Sequence, residues 1–311
     1  MLKLNYSVLL WCVVLVYSLP GLMPAQPQVV YKNPVVFQRH PVDEQGRMTN
    51  RSTKIWIMES DGSAPYQVTD GLLYDDHPSL YSDTRHVLYA RYDSPDEDSD
   101  AGAKLIKHNI YTGREEVIAE EAGSALHHAA LSHDDRIIVH IRDQGKRRSQ
   151  IVRSAGSTPW EIPLQATNGV AVGKRVIFMH EKNLGLQKRE VSIVAITGRG
   201  SRAVMRSLTD DRVLHRRPAV SPDGRLIAWQ TNASGPEDEI FLMNIDGSGH
   251  RNLTRAPGND GHPWFSRDGQ WIVFESDRSG AMEIWKINID TGETIQLTDG
   301  EGKIMSTRPR M

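Results

Sequence analysis

Cysteine is almost missing from this 311-residue chain: Cys12 is the only one. With one thiol there is no intrachain disulfide, and a cysteine metal site is excluded as well. Charge of one sign is missing too. Lys and Arg number 37 against 39 Asp and Glu, a formal net charge of -2, so neither a nucleic-acid footprint nor an acidic tail is written in the bulk charge. There is no Gly-x-Ser-x-Gly elbow and no glycine-rich phosphate loop opening a helix; Ser154 and Ser279, each near glycine, are no substitute. Helical periodicity is nearly absent. Long apolar runs are confined to the first 25 residues.

That N-terminal stretch reads as a secretory signal peptide. Lys3 supplies the positive start, Ser7 to Tyr17 (SVLLWCVVLVY) the apolar core, and Ala25 the residue before the cut. The run is short for a transmembrane span. Met23 is larger than the small residue preferred two positions before the cut, so an uncleaved anchor is the competing reading. Cys12 lies inside the segment, without the small-residue lead-in of a lipoprotein, and leaves with it on cleavage. The expected organisation is a signal peptide over 1–25 and one folded domain over 26–311.

What is present is a repeat. Arg217 to Gln230 (RPAVSPDGRLIAWQ) aligns with His262 to Glu275 (HPWFSRDGQWIVFE). Each is followed by a polar gap, an EIFLMNIDG or EIWKINIDTG segment, and a closing Leu253-Thr254 or Leu297-Thr298. Weaker copies begin at His77 and His128, a worn fourth copy at Val170, and an N-terminal copy at Val35 that ends on Val68-Thr69. Ser-x-Asp-Gly makes a tight turn, because Asp accepts backbone N–H bonds and Gly allows positive φ. Short apolar or alternating runs on either side read as strands. Four such strands per repeat of roughly 40–50 residues describe one blade of a β-propeller.

The two ends complement each other. Thr307 to Met311 matches only the start of a repeat, and the N-terminal copy lacks that opening strand. The expected fold is therefore an all-β, six-bladed propeller of four-stranded blades, closed by the C-terminal strand joining the N-terminal blade. Closure of this kind removes an exposed sheet edge.

On these motifs, together with Phe274-Glu-Ser-Asp-Arg, residues 33 to 311 resemble the TolB-like propellers built from WD40-like PD40 repeats. The resemblance implies export, to the bacterial periplasm or beyond the cell. TolB itself carries an α/β domain ahead of its propeller. Only about ten residues separate the signal from the first blade here, which puts TolB's own role in doubt.

Positions just ahead of each opening strand are expected to converge at one mouth of the channel. They hold His77, His127, His128, Arg217, His262 and Arg308. Arginine forks suit an anionic ligand, and imidazoles at 77, 128 and 262 suit a metal. No local His-x-x-Glu-His spacing is present, so no metal and no cofactor is expected; the bland alternative is that these side chains bond to nearby turns. The acidic loop from Asp93 lacks calcium-loop order, and Lys146 to Arg148 reads as a hairpin tip. Trp160, Trp229, Trp264, Trp271 and Trp285 read as core. Two functions stay open: a non-catalytic module binding a protein, peptide or glycan, with a cell-envelope component as partner, or a carbohydrate-active lyase or hydrolase using the rim residues. A lyase would take His77, His128 and Arg217 as base, acid and carboxylate clamp. Nucleic acid and a transmembrane domain beyond the signal are not expected.

Overall fold

The computed structural model describes residues 27, 29–49, 51–70, 72–95, 102–143, 146–152, 160–162, 166–183, 189–198, 202–210, 212–300 and 304–311. The signal segment and the tip of the acidic loop lie outside these. Among the described residues every long element is a strand, and no helix is long and apolar enough to cross a membrane.

The strands form antiparallel meanders. β1 (Pro34–Pro41), β2 (Lys54–Glu59) and β3 (Tyr66–Gln67) make the first. The second is β4 (Asp75–Leu80), β5 (His86–Tyr92), β6 (Ala103–Asn109) and β7 (Glu115–Ala119). The third is β8 (Ser124–Leu131), β9 (Ile137–Asp143), β10 (Lys146–Val152) and β11 (Trp160–Ile162). A single parallel bridge, Ala103 to Ala125, joins these two into one eight-stranded sheet. Then come β12 (Ala166–Val172), β13 (Arg175–Asn183), β14 (Arg189–Thr197) and β15 (Val204–Ser207). β16 (His215–Val220), β17 (Leu226–Thr231), β18 (Glu239–Asn244) and β19 (Arg251–Asn252) follow. β20 (Asp260–Phe265), β21 (Trp271–Ser276), β22 (Glu283–Asn288) and β23 (Thr294–Gln296) precede the last strand, β24 (Ile304–Arg310). β24 pairs antiparallel with β1, giving the sheet order β24-β1-β2-β3. The leading strands pack in series: β4 on β8, β8 on β12, β12 on β16, β16 on β20, β20 on β24, and β24 on β4.

The repeat residues explain the local geometry. In Ser221-Pro-Asp-Gly, Asp223 Oδ1 accepts from Ser221 Oγ at 2.6 Å and from Arg225 N at 3.0 Å. Gly224 takes φ +72° and closes the turn with its N–H to Ser221 O at 2.8 Å. The closing threonines act at the outer edge. Thr69, Thr254 and Thr298 accept the N–H groups of Ile55, Ile240 and Ile284 at 3.1, 3.1 and 2.8 Å. The hydroxyl thus satisfies a donor that the two- or three-residue fourth strand leaves unmet.

The core is a series of layers between neighbouring sheets. Val36, Ile55 and Ile57 of the first sheet meet Leu80, Val87 and Tyr89 of the next. Another cluster gathers Phe37, Trp229, Phe265 and Phe274. Each fully buried large apolar side chain contributes about 1.5–3 kcal/mol. Trp229 and Trp264 are buried as expected, and Trp271 and Trp285 are half-buried. The side chain of Trp160 lies outside those described.

Candidate functional site

Each leading strand carries the same irregularity. In β4, Asp76 and Ser79 pair with Ala90 and Leu88, three steps against two, so one residue is extra. The same jump occurs at His127/Ala130, Thr167/Val170, Arg216/Ala219, Gly261/Trp264 and, between β24 and β1, Thr307/Arg310. A bulge of this kind re-aims a side chain. At each bulge a non-glycine residue takes positive φ: His77 50°, His128 50°, Asn168 51°, Arg217 50°, His262 47° and Arg308 53°. Left-handed backbone costs an L-residue roughly 1–2 kcal/mol. Strain repeated six times at one position, where glycine would avoid it, marks that position for function.

Five of the six expected residues are therefore brought together, but inside the leading strands, not ahead of them. His77 and His262 are buried, each 4% exposed, while His128, Arg217 and Arg308 are half-buried. The expected strand starts came after these residues, whereas each strand begins earlier and bulges there. His127 immediately precedes its bulge and pairs with His140 through the backbone; its side chain lies outside those described. Asn168 is the member that sequence reasoning missed, because the worn fourth copy was started two residues late.

A second set of side chains holds the bulges. Gln38 accepts from His77 N at 3.3 Å and from Arg308 Nη1 at 2.9 Å, and donates to Asp75 O at 3.0 Å. Glu275 accepts from His262 Nδ1 at 2.5 Å and from Arg308 N at 2.8 Å. Gln230 accepts from Arg217 Nη1 at 2.8 Å and donates to Asp238 at 2.7 Å. All three end the second-strand motifs VVFQ, IAWQ and IVFE, so their common place in the repeat was a usable signal.

The electrostatics are crowded. Asp76, fully buried, contacts Arg308 Nη1 through Oδ1, and its Oδ2 lies 2.6 Å from His77 Nδ1. Burial, helped by the charges of Arg217 and Arg308, pushes His262 well below the ordinary imidazole value, so it is neutral. A neutral imidazole facing the Glu275 carboxylate carries its proton on Nδ1. The lone pair is then on Nε2, which has no hydrogen-bond partner among the described residues. Desolvation likewise lowers Arg217 and Arg310 to about 10, which leaves both charged at neutral pH. Arg310 stacks on Trp264 at 4.4 Å, and its Nη1 donates to Pro309 O at 3.0 Å.

Two cavities meet at this stack. The inner one is enclosed by the leading strands, with His77, His128, Asn168, Arg217 and His262 on its wall. It holds only ≈ 10 Å³ of space for a water-sized sphere, about one water. The outer one, ≈ 320 Å³, opens among the Ser-x-Asp-Gly-type turns, lined by Ser82, His133, Asp135, Pro222 and Arg267. Trp264 and Arg310 line both. Arg267 spans the outer cavity's edge, donating to Tyr81 O and Ser82 O at 2.7 Å each.

Residues 173–310 match the TolB beta propeller domain family, PD40. A stretch of 82 residues is 35% identical to an uncharacterised protein of Agrobacterium fabrum, covering 25% of this chain and 27% of that one. Another of 56 residues is 41% identical to the Tol-Pal system protein TolB of Bordetella pertussis, 18% of this chain and 13% of that protein. These matches thus span under a third of either relative. Among solved structures, TolB from Acinetobacter baumannii aligns with a TM-score of 0.72 at 16% identity, over 89% of this chain and 66% of that chain. At that identity the likeness speaks to fold alone.

Proposed function

We propose, for a chain that is a TolB-like β-propeller of the PD40 repeat family, a role as an exported, non-catalytic binding module. Its ligand is a protein segment, a peptide or a glycan held at the channel mouth. The outer cavity carries this reading. Its ≈ 320 Å³ falls in the range of ligand pockets, with an aromatic floor and a few convergent polar groups. The reading takes His77, His127, His128, Arg217, His262 and Arg308 as the ligand-binding set; His77, His128, Arg217 and His262 line the inner cavity, which shares Trp264 and Arg310 with the outer one. The serial packing of six leading strands, with β24 laddered to β1, supports a ring of six blades closed by the C-terminal strand. Residues 1–25 support export to the periplasm or beyond, and the Tol-Pal name of a partial relative favours a cell-envelope partner.

The clustering of His77, His128 and His262 favours the second reading, a carbohydrate lyase or hydrolase. The inner cavity counts against it, since a space for one water does not admit a sugar ring.

One preparation tests export and binding together. The full chain is expressed in a bacterium, the periplasmic fraction purified, and its first residue read. Its melting is then screened against acidic peptides and oligouronates. A ligand at 100 times its Kd stabilises the fold by about 2.7 kcal/mol. The expected result is a chain starting near Gln26, stabilised by one ligand class, with the shift lost in Ser82→Trp, which fills the outer cavity. An unshifted melt throughout, or a shift unchanged in Ser82→Trp, refutes the mouth as the binding site.

A further inference from the structure

Three imidazoles from three separate meanders wall one cavity the size of a single water. His77 and His128 stack with ring centroids 4.0 Å apart and a 36° tilt, and His262 lies 6.4 Å from His77. Donor atoms of Asp76, His77 and His128 all fall within 4.8 Å of one another. We propose that Asp76, His77 and His128 bind one divalent transition-metal ion inside the channel, with His262 turning toward it as a further ligand.

The surroundings have the pattern such a site needs. A metal-binding imidazole is normally oriented by a carboxylate on its other nitrogen. Glu275 sits 2.5 Å from Nδ1 of His262, which aims the Nε2 lone pair away from the carboxylate. Asp76 lies beside Nδ1 of His77 at 2.6 Å. The positive-φ bulges bring the rings to the cavity at a cost in backbone strain, and a shared ion would compensate that cost. Nitrogen donors select zinc, cobalt, nickel or copper over calcium and magnesium, which prefer oxygen.

The arginines set a limit on the ion's surroundings. Asp76 and Glu275 face Arg217, Arg308 and Arg310, an excess of one positive charge before any metal enters. That excess opposes a cation, and the carboxylate of Asp76, which shares the site with His77 and His128, is the charge that counters it. The ligands come from meanders far apart in sequence, which is why no local spacing announced them. This inference does not depend on a ligand at the outer mouth.

The test uses the full chain without a polyhistidine tag, stripped with chelator and titrated calorimetrically with Zn²⁺, Co²⁺ and Ca²⁺. One equivalent of Zn²⁺ and of Co²⁺ is expected to bind, and no Ca²⁺. His77→Ala and His128→Ala should abolish the isotherm, His86→Ala, remote from the cavity, should keep it, and Glu275→Gln should weaken it about 10–100-fold. If the alanine variants fail to fold, electron paramagnetic resonance of the Cu²⁺-loaded wild type decides, through couplings to imidazole nitrogen. Failure of the wild type to bind, an isotherm that survives in His77→Ala and His128→Ala, preference for Ca²⁺, or a Cu²⁺ spectrum without nitrogen couplings would each overturn the assignment.

Discussion

Burial at Glu115 pushes its carboxyl pKa up, but the neighbours win. The hydrogen bond with His108, the charge of Arg91 and the Tyr89 hydroxyl bring it down from 4.5 to about 2. A depressed carboxyl contributes stability that is complete above its unfolded value and is lost as pH falls through the folded one. The window here runs from about pH 4.5 down to about 2. With the side chain 30% exposed, a contribution of about 2–3 kcal/mol at pH 6 is expected after screening. Urea unfolding of Glu115→Gln between pH 2 and 6 should show a flatter acid limb than wild type; an identical slope would refute the role given to Glu115. Other single residues were less legible. Gln38, Gln230 and Glu275 looked like strand ends, since a sequence shows that a position recurs but not that Gln38 and Glu275 reach the backbone of the neighbouring sheet or that Gln230 links Arg217 to Asp238.

Among the elements, strands and turns were readable because their signals are local: a period of two, and Ser-x-Asp-Gly. The bulges were not. One extra residue in a six-residue strand leaves the short apolar run unchanged, and a residue before proline reads as extended chain. Asn168, followed by Gly169 instead of proline, is where the bulge geometry is best tested. Its φ of 51° suits glycine and is tolerated by asparagine, but β-branched valine resists it. Asn168→Val is expected to lose about 1–2 kcal/mol. Asn168→Gly should stay within about 1 kcal/mol of wild type, because relief of strain offsets the extra freedom of the unfolded chain. Denaturant midpoints of the two variants check this; equal losses would mean that Asn168 does not need left-handed backbone.

At the scale of the molecule, closure was suggested by complementary half-repeats, and that idea rests on one strand. β24 ladders onto β1 and is also tied to the preceding sheet: Ser306 N donates to Met282 O at 2.9 Å, and Arg308 N to Glu275 at 2.8 Å. His40 Nε2 meets Thr307 Oγ1 at 3.0 Å, and Trp264 Nε1 donates to Met311 O at 3.2 Å. Removing 304–311 would strip β1 of one of its two partners, leave Val36 at a bare edge and open the inner cavity. A domain without disulfides holds about 5–15 kcal/mol in all, so losing a strand with two neighbours should remove several of these. The truncated chain is expected to melt well below the full chain and to self-associate through the exposed edge, as light scattering would register. Adding a synthetic 304–311 peptide in trans should raise the melting temperature and suppress association. A truncated chain that melts with the full one, or that ignores the peptide, would mean that the ring is not held shut by β24.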